Sequence, residues 1–405
     1  MPAGKSKTRG AQGSGTIRKK TVIRNDKEYT YWEARVTTGR SPSTGKQTQR
    51  SFTGKTQKEV REKLQAAAVA LNEGTYFEPS KITLTSWVET WLKDYAGDKK
   101  YLTQKHYRAQ CNTHIIPQLG AVKLCELSTP QIQNFYNDLR RSGLSPKSIR
   151  NIHGILTKCL SVAVQIGYIK SNPASIAVLP KVEKKEISPL TDEQIKKFLQ
   201  VATFDEYGLL LKVILFTGLR ESEAIGLTWN CIDFKGGTVK VCKQLQKRPI
   251  ADGGFVFAPL KNDKARLLKP APFVMRLLEQ RRNEELKQKI QAGESWCGWQ
   301  SEQEREVSPV FTNSLGSHLH PQTVYNHYKK IALQIGAPYS RVHDLRHTFA
   351  VLSLQNGDDI KTVQSNLGHA TASFTLDVYG HVSEKMKDDS AARMEQYIKD
   401  ISETD

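Results

Sequence analysis

The first ordered stretch alternates apolar and polar residues. Thr16–Arg24 and Glu28–Thr37 alternate as strands do on either side of a turn at 24–27, and a third run, Gln47–Thr53, follows a Gly-Arg-Ser-Pro-Ser-Thr-Gly turn. The period then changes. Thr56-x-x-Glu59 is a capping box, and Val60, Leu64, Ala68 and Leu71 recur behind it at helical spacing. Three strands and one helix predict a small α+β module over 15–78, with Trp32 and the neighbouring Tyr29 and Tyr31 in its core.

From 79 to 180 only the helical period remains. Leu84, Val88, Trp91, Leu92 and Tyr95 form one stripe; a second helix runs from about Thr103 to Ile116 and stops at Pro117. Thr129-Pro130 supplies an N-cap and first-turn proline for a third, ending at Gly143. Ser145-Pro146 opens a fourth, with Ile149, Ile152, Leu156, Cys159 and Ala163 along one face. His106 and His153 read as surface or half-buried side chains. A charged, proline-bounded stretch, Pro173 to Pro189, separates this all-α segment from the C-terminal half of the chain, with the linker itself at 181–189. Thr191-x-x-Gln194 then caps the first helix of a mainly α domain at 190–390. It is interrupted by β runs at Thr238–Gln244, Phe255–Pro259 and Arg266–Leu268, which predict a small antiparallel sheet. Gln291–Glu306, with Trp296 and Trp299, is expected to be an exposed loop. The tail, 391–405, carries Met394, Tyr397, Ile398 and Ile401 on one stripe and packs either on its own domain or on a neighbouring subunit. The polar residues 1–14 form a flexible basic arm.

Charge changes the picture. The net charge is +19, and it is unevenly placed. Residues 1–80 carry 16 basic against 7 acidic side chains, 81–186 the same, and 187–405 carry 28 against 27. A basic excess confined to the first two segments implies a polyanion there, namely double-stranded DNA gripped through its phosphates. The candidate contacts are Arg18, Lys19, Lys20, Arg24 and Arg35 on the sheet module. On the helical segment they are Lys105, Arg108, Arg140, Lys147 and Arg150. No apolar run reaches membrane-spanning length, and the six cysteines include no C-x-x-C pair, so neither a membrane, a zinc site nor a disulfide framework is expected. A cytoplasmic, nucleoid-associated bacterial protein fits this usage.

The nearly neutral third segment holds the reactive chemistry. Arg220, Lys261, His343, Arg346, His369 and Tyr379 are what phosphodiester cleavage needs when no metal or other cofactor takes part. Arg220 and Arg346 are permanently charged forks for phosphate oxygens, whose charge grows in the transition state. An ion pair with Glu221 or Glu223 is the competing use of Arg220. Tyr379 is the nucleophile; with an ordinary pKa of about 10 it needs a base or nearby positive charge. His343 is the natural proton acceptor, and His369 donates a hydrogen bond to a phosphate oxygen. His347 is a supporting helix residue.

The ordered set Thr217-Gly-Leu-Arg220-Glu-Ser-Glu, His343-Asp-Leu-Arg-His347, Leu367-Gly-His369 and Tyr379 resembles the tyrosine recombinase family. The sheet module with its basic arm resembles the arm-site-binding domain of phage and conjugative-transposon integrases. The resemblance implies a core-site-binding helical domain and a catalytic domain of tyrosine recombinase fold. It implies Lys261, in a β-hairpin turn at Leu260–Arg266, as the acid for the 5′ leaving oxygen, with Lys264 the alternative. It implies a 3′-phosphotyrosine intermediate, a Holliday junction and a homotetramer on core-type and arm-type sites. An excisionase or a host DNA-bending protein would set direction. The expected function is integration and excision of a mobile element. A Xer-type resolvase of chromosome or plasmid dimers shares the chemistry but needs no sheet domain. A type IB topoisomerase lacks the paired DNA-binding domains, and a repressor would have no use for the catalytic set.

Overall fold

A computed structural model describes residues 15–24, 27–40, 45–72, 82–183, 188–260, 264–368 and 384–402. The basic arm expected over 1–14 and part of the expected linker lie outside the described residues. The chain forms two compact units, Met1–Lys184 and Lys185–Asp405.

In the first unit β1 (Thr16–Arg24), β2 (Lys27–Arg40) and β3 (Gln47–Gly54) form an antiparallel sheet in that order. Helix α1 (Gln57–Asn72) covers one face, where Ile17, Trp32, Ala34, Val36 and Phe52 meet Val60, Leu64 and Ala67. Successive strand residues face opposite ways. Tyr29 and Tyr31 therefore fall on the outer face, across from Val22 and Lys20, and Tyr29 is 54% exposed. Only Trp32 belongs to the expected aromatic core.

The all-helical segment comes next. α2 (Leu84–Thr90) continues into a π-helical turn at Trp91–Tyr95, and α3 (Tyr101–Gln110) into another at Cys111–Ile115, which leads to α4 (Ile116–Leu119). Pro117 does not stop the helix. It sits in α4, which follows directly on the π-helical turn, and the Ile116 N–H still reaches the Cys111 carbonyl across that junction. α5 (Thr129–Arg141) is capped one residue earlier than expected, by Ser128, whose N–H donates to Gln131 Oε1 at 2.8 Å. α6 (Pro146–Gln165) starts as predicted, with Ser145 Oγ accepting from the Ser148 N–H. Ile149, Ile152, Leu156, Cys159 and Ala163 are buried, and the Trp87 indole N–H donates to the Cys159 carbonyl at 3.0 Å. Tyr95, expected in the apolar stripe, is 44% exposed. His106 is exposed and His153 half-buried, its Nδ1 3.0 Å from Tyr136 Oη.

The second unit is built on the apolar helix α8 (Gly208–Thr217), preceded by α7 (Asp192–Val201), whose Thr191/Gln194 capping box is formed. Four-residue α9 (Glu221–Ala224) leads into two small sheets. β4 (Ile232–Asp233), β5 (Thr238–Val241) and β8 (Arg266–Leu268) make one; β6 (Lys243–Lys247) and β7 (Phe255–Pro259) make the other. β7 pairs with β6 and β8 with β5; the turn expected between them, at 261–263, lies outside the described residues. Helices α10 (Pro272–Ala292), α11 (Glu302–Val307), α12 (Pro321–Gln334), α13 (Val342–Gln355) and α14 (Ile360–Leu367) complete the unit. α15 (Glu384–Ser402) ends the described chain.

Gln291–Glu306 is not an exposed loop. Trp296 and Trp299 are 6% and 7% exposed, and Trp299 is capped by Lys289 Nζ at 3.7 Å and Arg305 Cζ at 4.8 Å from its ring centre. Arg305 in turn pairs with fully buried Glu285 at 3.1 Å, to which the Trp229 indole donates at 3.2 Å. The tail stripe of α15 is uncovered: Met394, Tyr397, Ile398 and Ile401 are 48–61% exposed. Among the described residues no helix is long and apolar enough to cross a membrane.

Candidate active site and nucleic-acid interface

The site begins where α8 ends. Gly218 closes that helix in the left-handed region (φ 64°), and a side chain there would press into the Phe349 ring and Leu367. Glycine thus permits both the turn and the close approach that bring the next residues to α13 and α14. Arg220 is the N-terminal flanking residue of α9.

Arg220 is 22% exposed and is held by Glu223. The carboxylate accepts the Arg220 N–H at 3.0 Å and Nη1 at 2.6 Å, so the ion pair weighed as the competing use of Arg220 is formed. The other Arg220 terminal nitrogen reaches the Gly368 carbonyl at 3.4 Å. Glu223, 1% exposed, serves a second guanidinium as well: Arg266 donates to it at 2.6 and 3.2 Å and, through Nε, to the Asn366 carbonyl at 2.8 Å. Burial alone would raise the Glu223 carboxyl, but Arg266 and Arg220 together hold it down at about 2. Neighbouring Glu221 has no such partner. Burial raises it to about 7, and its Oε1 has no hydrogen-bond partner among the described residues.

Arg346 departs from expectation. Its side chain is 1% exposed, and its terminal nitrogens donate to the Gly218 carbonyl at 2.6 Å and the Leu367 carbonyl at 2.5 Å. It forms a buried strut between the loop before Arg220 and the end of α14. One turn earlier on α13, His343 keeps part of its ring exposed. Its packed side, then the neighbouring His347 and Arg346, lower it to about 4, so it is neutral at physiological pH and able to accept a proton. The His343 and His347 rings meet edge to face at 4.8 Å.

Arg220, His343 and Arg346 are thus brought together from residues more than 120 positions apart. Lys261, His369 and Tyr379 lie outside the described residues, although Gly368, directly before His369, caps α14 within reach of Arg220. Lys264, the alternative acid, is exposed. Sequence reading missed Arg266, placing it only in a strand. The available signal was a strand arginine whose neighbour Lys264 had already drawn attention, in a domain with a two-acid helix start at Glu221 and Glu223.

Of the expected DNA contacts, Arg18, Lys20 and Arg35 share the outer sheet face, and Lys19 stands on the other beside Trp32. The Arg24 side chain lies outside the described residues. Lys105, Arg108, Arg140, Lys147 and Arg150 are all exposed. Arg150 also ties down the chain after the helices, its Nε donating to the Pro180 carbonyl at 2.8 Å.

Comparison with known proteins matches residues 188–386 to the phage integrase family and 83–140 to the phage integrase N-terminal SAM-like domain, together more than half of the chain. A tyrosine recombinase XerC-like protein of Caldanaerobacter subterraneus subsp. tengcongensis is 29% identical over 385 residues, 91% of this chain and 96% of that protein. The ICEBs1 integrase of Bacillus subtilis is 24% identical over 387 residues, 91% and 97%. Among solved structures, the integrase of transposon Tn1549 in complex with a circular-intermediate DNA has a TM-score of 0.65 at 19% identity, covering 78% of this chain and 99% of that one. A lambda integrase tetramer bound to a Holliday junction has a TM-score of 0.54 at 20% identity, covering 93% and 99%.

Proposed function

The chain belongs to the phage integrase family of tyrosine recombinases, DNA strand-cleaving and joining enzymes, and from that premise we propose how its residues divide the work of integrating and excising a mobile element. Tyr379 Oη attacks the scissile phosphorus; a P–O bond to tyrosine forms as the bond to the 5′ oxygen breaks. The departing 5′ oxygen takes a proton from Lys261 or Lys264, and the phenol proton passes to His343. Arg220, Arg346 and His369 bear on the non-bridging oxygens, where preorganised donors are worth about 3–4 kcal/mol each. The 3′-phosphotyrosyl ester conserves the diester bond, so a 5′ hydroxyl from the partner strand completes joining by reversing the same steps.

The observation that carries this reading is the convergence of Arg220, His343 and Arg346 around the Gly218 turn and the end of α14, with His343 held neutral. Arm-type sites would be bound by the β1-β2-β3 sheet and core-type sites by the helical segment, through the basic residues placed above. The uncovered stripe of α15 supports docking on a neighbouring subunit in a homotetramer. An excisionase or a host DNA-bending protein would supply direction on nucleoid DNA. The Xer-type reading leaves the basic sheet module without a task.

The test uses labelled duplexes carrying direct repeats identified by sequencing the DNA that flanks the gene. Wild-type protein should form a detergent-resistant adduct with them and Tyr379→Phe none; an adduct of equal yield with the phenylalanine variant overturns the assignment. Deleting residues 1–78 should abolish binding to distal sites while core cleavage persists. Loss of neither would favour the resolvase.

A further inference from the structure

The outer face of the β1-β2-β3 sheet holds one residue at odds with its surroundings. Register places Arg18, Glu33 and Thr53 side by side across the three strands, with Lys20 and Arg35 beside them. Glu33 Oε2 accepts from Arg18 Nε at 2.8 Å and Nη2 at 2.6 Å. Its Oε1 accepts from Arg35 at 3.4 Å and faces Lys20 Nζ at 3.9 Å. The carboxylate is 6% exposed, against 52%, 41% and 40% for Arg18, Lys20 and Arg35. All three cationic side chains lie against it, while the apolar cluster with α1 is on the opposite face.

A surface meant only to attract phosphates gains nothing from a carboxylate at its centre, which repels them. Nor is Glu33 placed to read a base, because both oxygens are already engaged by cations and shielded. What the carboxylate does is fix Arg18. Gripping the guanidinium along its Nε/Nη2 edge leaves the terminal Nη1/Nη2 fork pointing away from the carboxylate on a half-exposed side chain. That fork is the one that pairs bidentately with guanine O6 and N7 in the major groove.

We propose that Glu33 is a positioning residue that gives the sheet its sequence selectivity, by holding Arg18 in one orientation for base readout and offsetting part of the charge that would bind any phosphate. This rests on the reading of the sheet as a DNA-binding surface, and the test separates the two. Full-length wild-type protein is used to enrich duplexes from a random-sequence library. The affinities of Arg18→Ala and Glu33→Gln for each enriched sequence class and for random duplex are then measured over a range of salt. Arg18→Ala should lose at least one enriched class. On that class Glu33→Gln should lose about ten-fold or more in selectivity, in line with the discrimination of one bidentate contact. Its affinity for random duplex should hold or rise, with a steeper salt dependence from the freed cation. If Arg18→Ala retains every class, the sheet does not read DNA and the proposal falls with that reading. If Arg18→Ala loses a class that Glu33→Gln still selects as well as wild type, the proposal alone falls. A parallel loss on enriched and random duplexes, with a lowered melting temperature, would make Glu33 a stabiliser of the sheet and also overturn it.

Discussion

Replacing Glu223 by Gln tests the electrostatic core of the candidate active site. The carboxylate is 1% exposed and balances two guanidinium groups, one of them, Arg266, only 8% exposed. An amide in its place removes the charge and turns an N–H toward donors that need an acceptor. Two independent lines set the magnitude. Removing one partner of a buried ion pair costs about 3–5 kcal/mol. The depression of the Glu223 carboxyl from its ordinary value of 4.5 to about 2 corresponds to about 3 kcal/mol, with little screening to discount at this burial. For a unit of this size, 3 kcal/mol lowers the melting temperature by roughly 6–12 °C. The folded-state pKa is depressed, so this stabilisation is complete above 4.5 and is lost as pH falls toward 2. Melting of the wild type from pH 6 to pH 2.5, monitored by circular dichroism, should therefore include a loss that Glu223→Gln lacks. Because Arg220 loses its anchor, strand cleavage should also fall about 10²-fold, as expected when a group in contact with the reacting phosphate is misplaced by about 1 Å. A variant that melts at the wild-type temperature with the same acid profile would refute the argument.

Three other outcomes rest on the same geometry. His343, lowered to about 4, should let single-turnover cleavage persist as pH falls below 6.5, declining only toward 4; an inflection at 6.5 would mean that the ring titrates as an ordinary imidazole. Arg346→Ala removes two charge-assisted hydrogen bonds to backbone carbonyls, worth about 1.5–3 kcal/mol each, and should lower the melting temperature markedly even without DNA. A variant inactive yet as stable as wild type would mean that Arg346 serves only phosphate. Trp299→Ala should cost about 3–5 kcal/mol of stability by chemical denaturation, and a loss below 1 kcal/mol would return this segment to the exposed loop that its composition suggests.

The features legible in the sequence were those that nearest neighbours decide. The Thr191/Gln194 box and the Ser145 cap are settled within four residues, and both formed as expected. The three strands and the helix of the first module and the buried stripe of α6 follow from period alone. Errors arose where a distant partner decides. Tyr29 and Tyr31 have core-like chemistry but the wrong parity, and parity is known only once Trp32 is seen to face α1. Trp299 stands in a polar local context but is covered by Lys289 and Arg305, which lie outside that run or at its end, and Trp296 packs edge-on against Trp299. Pro117 ends a helix only if that helix keeps its α-form pitch, and the π turn before it does not.

The two arginines of the family motif were expected to act alike, and the structure separates them. Arg220 remains partly exposed, with a long 3.4 Å contact to the Gly368 carbonyl that a phosphate oxygen can outcompete, while Glu223 keeps the other side of its guanidinium in place. Arg346 is sealed by short bonds to carbonyls at Gly218 and Leu367. Those two residues stand two positions before Arg220 and two before His369. Arg346 therefore binds together the two backbone segments that carry the other candidate phosphate ligands. A side chain that ties these two segments together has to lie between them, which accounts for the depth at which Arg346 is buried.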